Sequence, residues 1–252
     1  MVGKLTSDFE LSASRTPVLL NASPWQTRNE LLAEMIKLDE GGEKEWFDQN
    51  QAMYWGDTLE PVILREAAKR LGLTNVEIDI DKPYHHDHLP FAASLDGTGV
   101  GHKPFSADWG NGIYVPQGGI VETAGQGILE AKLTSARPEE IPAPHRGPLQ
   151  LQAQMMCTGL SYGCVAVLYQ GTELRLFVYR ADEVVQNRIR EAIIDFENRR
   201  KNIDWYPVTS PEDGAVAYSR TDDDAPPIEL EGDDAMWVDH LMTAKANKAM
   251  AE

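Results

Sequence analysis

Only two cysteines occur in this chain of 252 residues, Cys157 and Cys164. Two thiols cannot build a disulfide framework, a four-cysteine zinc site or an iron–sulfur cluster. They read as reduced thiols packed as small hydrophobes in a cytoplasmic protein. Long apolar runs are lacking as well. Stretches such as 165–169 are far too short to span a bilayer, so no membrane association is expected. The opening MVGKLTSDFE has no apolar core of a secretory signal. No G-x-x-x-x-G-K-[ST] run is present to suggest an ATP-driven motor, and the glycines at 110–127 do not form G-x-G-x-x-G between a strand and a helix.

Basic residues are scarce. Lysine and arginine number 23 against 40 acids, a formal charge of −17. Taken alone this argues against nucleic-acid binding, because neutralising phosphates requires cationic side chains. The acid is unevenly spread, however. Residues 211–234 carry PEDG, TDDDAPP and ELEGDD with Arg220 as their single base. Net charge governs solubility and long-range steering, and it leaves room for a local positive groove.

Apolar spacing predicts helices over 28–40 and 58–71, the latter with Thr58 as N-cap, Pro61 in its first turn and Gly72 as its stop. The period then changes to that of strands at 76–80, 89–95 and 127–133. The glycine-rich stretch 97–126 reads as a long loop or extended hairpin. A helix is expected at 149–160 and a hairpin from 164–169 and 174–179 through Gln170-Gly171-Thr172. An amphipathic helix follows at 182–201, and a short terminal helix near 235–249. The order indicates an α/β fold with a central mixed sheet flanked by helices. Two domains are expected: 1–205, helical to about residue 75 and then carrying the catalytic sheet and helices over 76–205, and an acidic linker with a helical tail over 206–252.

Several polar residues stand where a core would not accept them unaided. Glu130 and Lys132 lie inside Gly-Ile-Leu-Glu-Ala-Lys-Leu, two apart and so on one face of a strand, with Leu129, Ala131 and Leu133 on the other. Burying such a pair costs desolvation unless each charge is paired or bound to an ion. Asp96, between Phe-Ala-Ala-Ser-Leu and Gly97, could join Glu130 in holding a hard cation through oxygen. The lysine could then orient water or neutralise developing charge. Glu60 shares a helical face with Ile63, Leu64 and Ala67, which aims its carboxylate inward. On the 149–160 helix Gln150 and Gln154 share a face and Gln152 lies nearly opposite; if buried, all three need partners. The run Tyr84-His85-His86-Asp87-His88 lacks zinc-site spacing and reads as a turn or surface cluster. Trp25, Trp46, Trp55 and Trp109 could stack on bases, though packing inside the fold is the expectation for most of them.

Taken in order, these segments resemble those of the lambda-exonuclease and YqaJ-type viral recombinase nucleases, of PD-(D/E)XK type. Leu11-Ser12-Ala13-Ser14 and Asn21-Ala22-Ser23-Pro24-Trp25 are similar to the I-T-A-S…G-x-S-P-W stretch, and Trp55 to Glu60 to W-G-x-x-x-E. Ser94-Leu95-Asp96-Gly97 resembles S-P-D-G with Leu95 replacing proline, Glu130-Ala131-Lys132 resembles E-x-K, and 150–159 resembles the glutamine helix ending in T-G. The resemblance implies a restriction-endonuclease-like core with one or two Mg²⁺ ions, Mn²⁺ being a substitute, held by Glu60, Asp96, Glu130 and the Ala131 carbonyl. Lys132 would position the attacking water, with Gln152, or next Gln150, in support. Ser14, Ser94 and Arg137 would hold a 5′-phosphate. The spacing between Asp96 and Glu130 is longer than usual for the family. The implied activity is a phage-type 5′-to-3′ exonuclease on linear duplex DNA, in the host cytoplasm if phage-encoded, leaving 3′ single-stranded ends for recombination. A homotrimer and a single-strand annealing protein as partner are implied in the same way. The rivals are an endonuclease on the same core and an inactive DNA-binding or assembly protein.

Overall fold

The computed structural model describes residues 6–43, 49–218 and 231–251. The chain divides into two compact units, Met1–Ala217 and Tyr218–Glu252. In chain order the first unit contains β1 (Leu11–Ser12), α1 (Thr16–Leu19), α2 (Arg28–Asp39), α3 (Gln51–Leu71), β2 (Thr74–Ile78), β3 (Tyr84–His85), β4 (Phe91–Ala93), β5 (Gly97–Gly101), β6 (Ile113–Tyr114) and β7 (Gly125–Thr134). It continues with α4 (Pro148–Thr158), β8 (Tyr162–Tyr169), β9 (Glu173–Arg180), α5 (Glu183–Asn202) and α6 (Pro211–Ala217). The second unit holds α7 (Asp233–Ala251), which exposes Met236, Trp237, Leu241 and Met242. No helix of the described residues is long and apolar enough to cross a membrane.

The main sheet has six strands in the order β2-β5-β7-β8-β9-β6. The β7–β8 and β6–β9 pairs are parallel and the others antiparallel, so the expected mixed sheet is present. A small sheet β1-β4-β3 stands apart from it. Ile63, Leu64, Ala67 and Ala68 of α3 pack on one face of β7 through Leu129 and Ala131, joined there by Phe105, Ile113 and Val121 from the segment between β5 and β7. Leu151 and Met155 of α4 cover the other face, against Ile128, Val165 and Phe177. A third cluster joins α1, α2 and α5 through Val18, Leu31, Leu32, Ile189 and Phe196.

Several boundaries differ from expectation for identifiable reasons. Helix α3 begins at Gln51, seven residues before Thr58, because Asn50 accepts from the Met53 N–H at 3.0 Å and caps it. Thr58 lies inside the helix, where its hydroxyl donates to the Tyr54 carbonyl at 2.8 Å, and Pro61 sits in the interior. The first turns of α3 lie on the surface, so no apolar stripe marks them. The stretch 97–126 takes the extended-hairpin alternative: Gly97–Gly101 is an inner strand paired antiparallel with the start of β7, and Phe105 bridges Val121. Its glycines make room for neighbours. A Cβ on Gly101 would stand 2.8 Å from Thr123, and one on Gly127 of β7 would enter the Tyr162 ring. The Tyr162 hydroxyl in turn takes the Gly101 N–H at 2.9 Å and donates to the Gly125 carbonyl at 3.0 Å. The predicted strand at 76–80 lies at 74–78, and that at 89–95 shortens to Phe91–Ala93. The expected hairpin is present, with Gln170 and Gly171 both at positive φ.

The expected boundary after residue 205 moves to Ala217. Tyr206 is buried in the α1–α2–α5 cluster, and its backbone exchanges two hydrogen bonds with the Asn29 side chain, at 2.9 and 3.1 Å. Helix α6, not anticipated, packs on α2. Its buried Asp213 accepts from the Thr27 hydroxyl at 2.8 Å and the Thr209 N–H at 3.0 Å. Residues 219–230 of the expected acidic linker lie outside the described residues.

Candidate active site

Strand β7 supplies two of the charged side chains. Its period of two sends Leu129 and Ala131 toward α3, and Ile128 and Glu130 toward α4. Glu130 is completely buried, and both of its oxygens are engaged. Oε1 accepts from Lys132 Nζ at 2.5 Å, and Oε2 accepts from Gln154 Nε2 at 2.6 Å. Lys132 Nζ also donates to Gln150 Oε1 at 3.1 Å, and its side chain remains 30% exposed. The lysine side chain is thus partly exposed while its partner is not.

Asp96 occupies the step from β4 into β5. The β5–β7 ladder pairs Gly97 with Leu129, and one residue further along Asp96 Oδ2 accepts the Ala131 N–H at 2.9 Å. Leu95, buried against α4, anchors the residue before it. Burial and the Glu130 carboxylate push the Asp96 carboxyl well above the usual carboxylate range; Lys132 and the Ala131 N–H act the other way. Burial likewise raises Glu60 on α3, with Glu130 adding to the rise and Lys132 opposing it. Burial lowers Lys132, but Glu130, Asp96 and Glu60 outweigh it and hold the amine above its ordinary value. Glu60, Asp96, Glu130 and Lys132, from three separate chain segments, therefore feel one another's charge.

If all were ionised, three carboxylates and one ammonium would leave a net charge of −2. That excess suits a divalent cation, and the donors are the hard oxygens such an ion prefers. Yet the expected ligand trio is not drawn together. Among the described residues no three Asp, Glu, His or Cys side chains stand grouped as ligands for an ion. Lys132 and Gln154 take both Glu130 oxygens, and Ala131 takes one of Asp96.

Of the two glutamines expected to support the site, the structure brings in Gln150 and not Gln152. Gln152 Nε2 donates to the Arg180 carbonyl at 2.8 Å, and its Oε1 accepts the Asp182 N–H at 2.9 Å. It bolts α4 to the junction of β9 and α5. Gln154, absent from the expected set, touches Glu130 instead; its sharing of a face with Gln150 was the signal that could have found it. Ser94 enters through its backbone, its carbonyl accepting from Gln154 Nε2 at 3.0 Å. Ser14 is exposed on the turn Ala13–Arg15, which packs on α4, and its hydroxyl pairs with that of Ser12 at 3.1 Å. Arg137 is exposed beyond β7, and no hydrogen bond joins Ser14, Ser94 and Arg137. The neighbouring Arg15 is committed elsewhere, to Gln26 at 2.7 Å and Glu34 at 2.6 Å.

The histidine run is local structure: His86 Nδ1 accepts the His88 N–H at 3.1 Å, and His85 meets Glu10 at 3.2 Å. The tryptophans depart from expectation. Trp25, Trp55 and Trp109 are 76%, 48% and 77% exposed and do not pack inside the fold; Trp46 lies outside the described residues.

Comparison with known proteins bears on the fold and the family. The backbone is similar to that of LHK-Exo, an alkaline exonuclease from Laribacter hongkongensis. Against its complex with dAMP the TM-score is 0.55 at 19% identity, covering 78% of this chain and 90% of that one. A phage-related exonuclease from Haemophilus somnus gives a TM-score of 0.52 at 11% identity, covering 77% and 94%. At such identities the likeness establishes the fold, a PD-(D/E)XK-type core. A search of curated proteins finds no match. The profile of the YqaJ-like viral recombinase domain matches residues 8–161, which include Glu60, Asp96, Glu130, Lys132 and all three glutamines. The chain belongs to the YqaJ-like viral recombinase domain family.

Proposed function

We propose that this protein is a Mg²⁺-dependent DNA exonuclease that degrades one strand of linear duplex DNA from its 5′ end and leaves 3′ single-stranded ends for recombination. The observation that carries this reading is the meeting of Asp96, Glu130 and Lys132 at β7, where Asp96 accepts the Ala131 N–H at 2.9 Å and Lys132 donates to Glu130 at 2.5 Å. Glu60, Asp96, Glu130 and the Ala131 carbonyl would hold Mg²⁺, or Mn²⁺ in its place. A divalent cation there makes water a nucleophile near neutral pH and offsets charge on the scissile phosphate.

The chain's own groups account for the remaining work. Lys132 has two of its three hydrogens on Glu130 and Gln150, which leaves a third for a water molecule. Gln150 keeps that ammonium from collapsing wholly onto Glu130. Asp96 is fixed to the sheet by the Ala131 N–H, so its second oxygen is the one available to a ligand. Ser14, Ser94 and Arg137 are the candidates for a 5′-phosphate, a role supported by motif position. Assembly as a trimer and action beside a single-strand annealing protein belong to the same reading and rest on family resemblance.

The test uses the purified full chain with Mg²⁺ on linear duplexes bearing 5′-phosphate or 5′-hydroxyl ends, beside a covalently closed circle. The 5′-phosphorylated duplex should be consumed with 3′ single strands accumulating, the circle should survive, and chelation should stop the reaction. Cutting of the circle would make the protein an endonuclease. Absence of any hydrolysis would leave a DNA-binding or assembly role.

A further inference from the structure

We infer that Gln154 is a positioning residue that holds Glu130 and the Asp96 segment in one fixed frame. This rests on the proposed function, since it assigns those two carboxylates to one cation. The amide nitrogen of Gln154 has two hydrogens. One goes to the Ser94 carbonyl at 3.0 Å and the other to Glu130 Oε2 at 2.6 Å. Ser94 lies two residues before Asp96, whose Oδ2 takes the N–H of Ala131, the residue after Glu130, at 2.9 Å. The circuit closes: Gln154 to Ser94, along the chain to Asp96, across to Ala131, back to Glu130 and to Gln154 again. Within such a ring a shift of either carboxylate stretches a hydrogen bond of the circuit.

The orientation of the amide follows from the same contacts. Reversed, its oxygen would face the Ser94 carbonyl and the Glu130 carboxylate, placing acceptors against acceptors. In the orientation present, Gln154 Oε1 is buried with no hydrogen-bond partner among the described residues. A buried acceptor without a donor marks a place for water, and a hydrated cation beside Glu130 would bring one. The packing of α4 does not rest on this amide alone. Leu151, Ala153, Met155 and Met156 pack α4, and Gln152 ties it to Arg180 and Asp182.

The experiment compares Gln154→Met, Gln154→Asn and Gln152→Met in the full chain. Mn²⁺ uptake by DNA-free protein is read by calorimetry, kcat and KM on a linear 5′-phosphorylated duplex, and thermal unfolding alongside. Loss of a residue that orients a metal ligand costs about 10–100-fold in metal affinity or activity. Gln154→Met should weaken Mn²⁺ binding by about tenfold or more and lower kcat similarly, with KM for DNA within about threefold. Gln154→Asn keeps the N–H groups but is too short to span both acceptors, and it should lie between Gln154→Met and wild type. Gln152→Met should lower the unfolding temperature and leave Mn²⁺ affinity intact. Unchanged Mn²⁺ affinity in a folded Gln154→Met or Gln154→Asn protein would overturn the inference, as would losses matching those of Gln152→Met. A wild type that binds Mn²⁺ but cuts no DNA would refute the nuclease reading, while the Mn²⁺ titrations would still decide the role of Gln154. A wild type that takes up no Mn²⁺ overturns both.

Discussion

Helix α4 has two polar faces that look alike in composition and act differently. Gln150 and Gln154 reach Lys132 and Glu130, whereas Gln152, between them, reaches the Arg180 carbonyl and the Asp182 N–H. Gln152 and Gln154 are both buried and both donate to a backbone carbonyl. Burial and residue type therefore do not distinguish the chemical face from the structural one. The partner's charge does. On one side the amides meet a carboxylate and an ammonium that burial would otherwise destabilise, and on the other only backbone groups at a strand end.

The sharpest way to break this contrast is at the ammonium itself. Lys132→Ala should lower cleavage by about a thousandfold or more, in the range of a positioned proton-handling group. Its duplex affinity, measured by anisotropy, should stay within about threefold of wild type. Equal losses of binding and cleavage would remove lysine from the chemical step.

Gln150→Leu sharpens the contrast on the chemical face. It should reduce kcat by about tenfold to a hundredfold with little change in unfolding temperature. Gln152→Met should do the reverse. Leaving the Asp182 N–H without a partner, and the Arg180 carbonyl with only Gln117 Nε2 at 3.3 Å, costs about 1–3 kcal/mol. Melting curves should show a drop of a few degrees, with kcat per folded molecule unchanged. If the two variants exchange these signatures, the assignment of the faces is wrong.

Asp213 extends the structural side of the comparison to the end of the first unit. Burial pushes its carboxyl up, but the Thr209 N–H and the Thr27 and Asn29 side chains outweigh that and hold it below the usual range. The folded protein thus binds this proton less readily than the unfolded chain. Its stabilising share is full above the unfolded carboxylate value, about pH 4, and is lost as pH falls through the lower folded value. Asp213→Asn should therefore lower the unfolding temperature at pH 7, by about 1–2 kcal/mol of stability. That difference should shrink as the pH is lowered toward 3. A constant gap would show that the charge plays no part.

The smallest effect is expected in the second unit. A chain ending at Ala217 should melt and cut short duplexes as the full chain does, because it retains α6 and every candidate site residue. One ending at Ser210 should melt lower, since it lacks Asp213. A fully folded but inactive protein ending at Ala217 would give the acidic tail a role in the reaction.

The sequence by itself determined the kind of fold and the side chains that carry the charge. Period-two alternation puts Glu130 and Lys132 on one face, wherever the strand sits, because pleating is local. The i, i+4 spacing likewise pairs Gln150 with Gln154, and the YqaJ-type segments in order indicated the family. Tertiary structure alone decided what those side chains meet. Whether Gln152 or Gln154 touches Glu130 depends on which face of α4 lies on the sheet, and burial of Leu151, Met155 and their neighbours sets that. Glycines at 97, 99 and 101 signal a loop by local propensity, yet Glu77, Leu73 and Thr123 occupy the space they leave, and the segment is an inner strand. Asn50 caps α3 on the surface, where no apolar stripe announces the helix. Asp213 is buried only because α6 returns to the start of α2. Apart from the Asn50 cap, each is a contact between segments distant in the chain, and local pattern holds no record of such contacts.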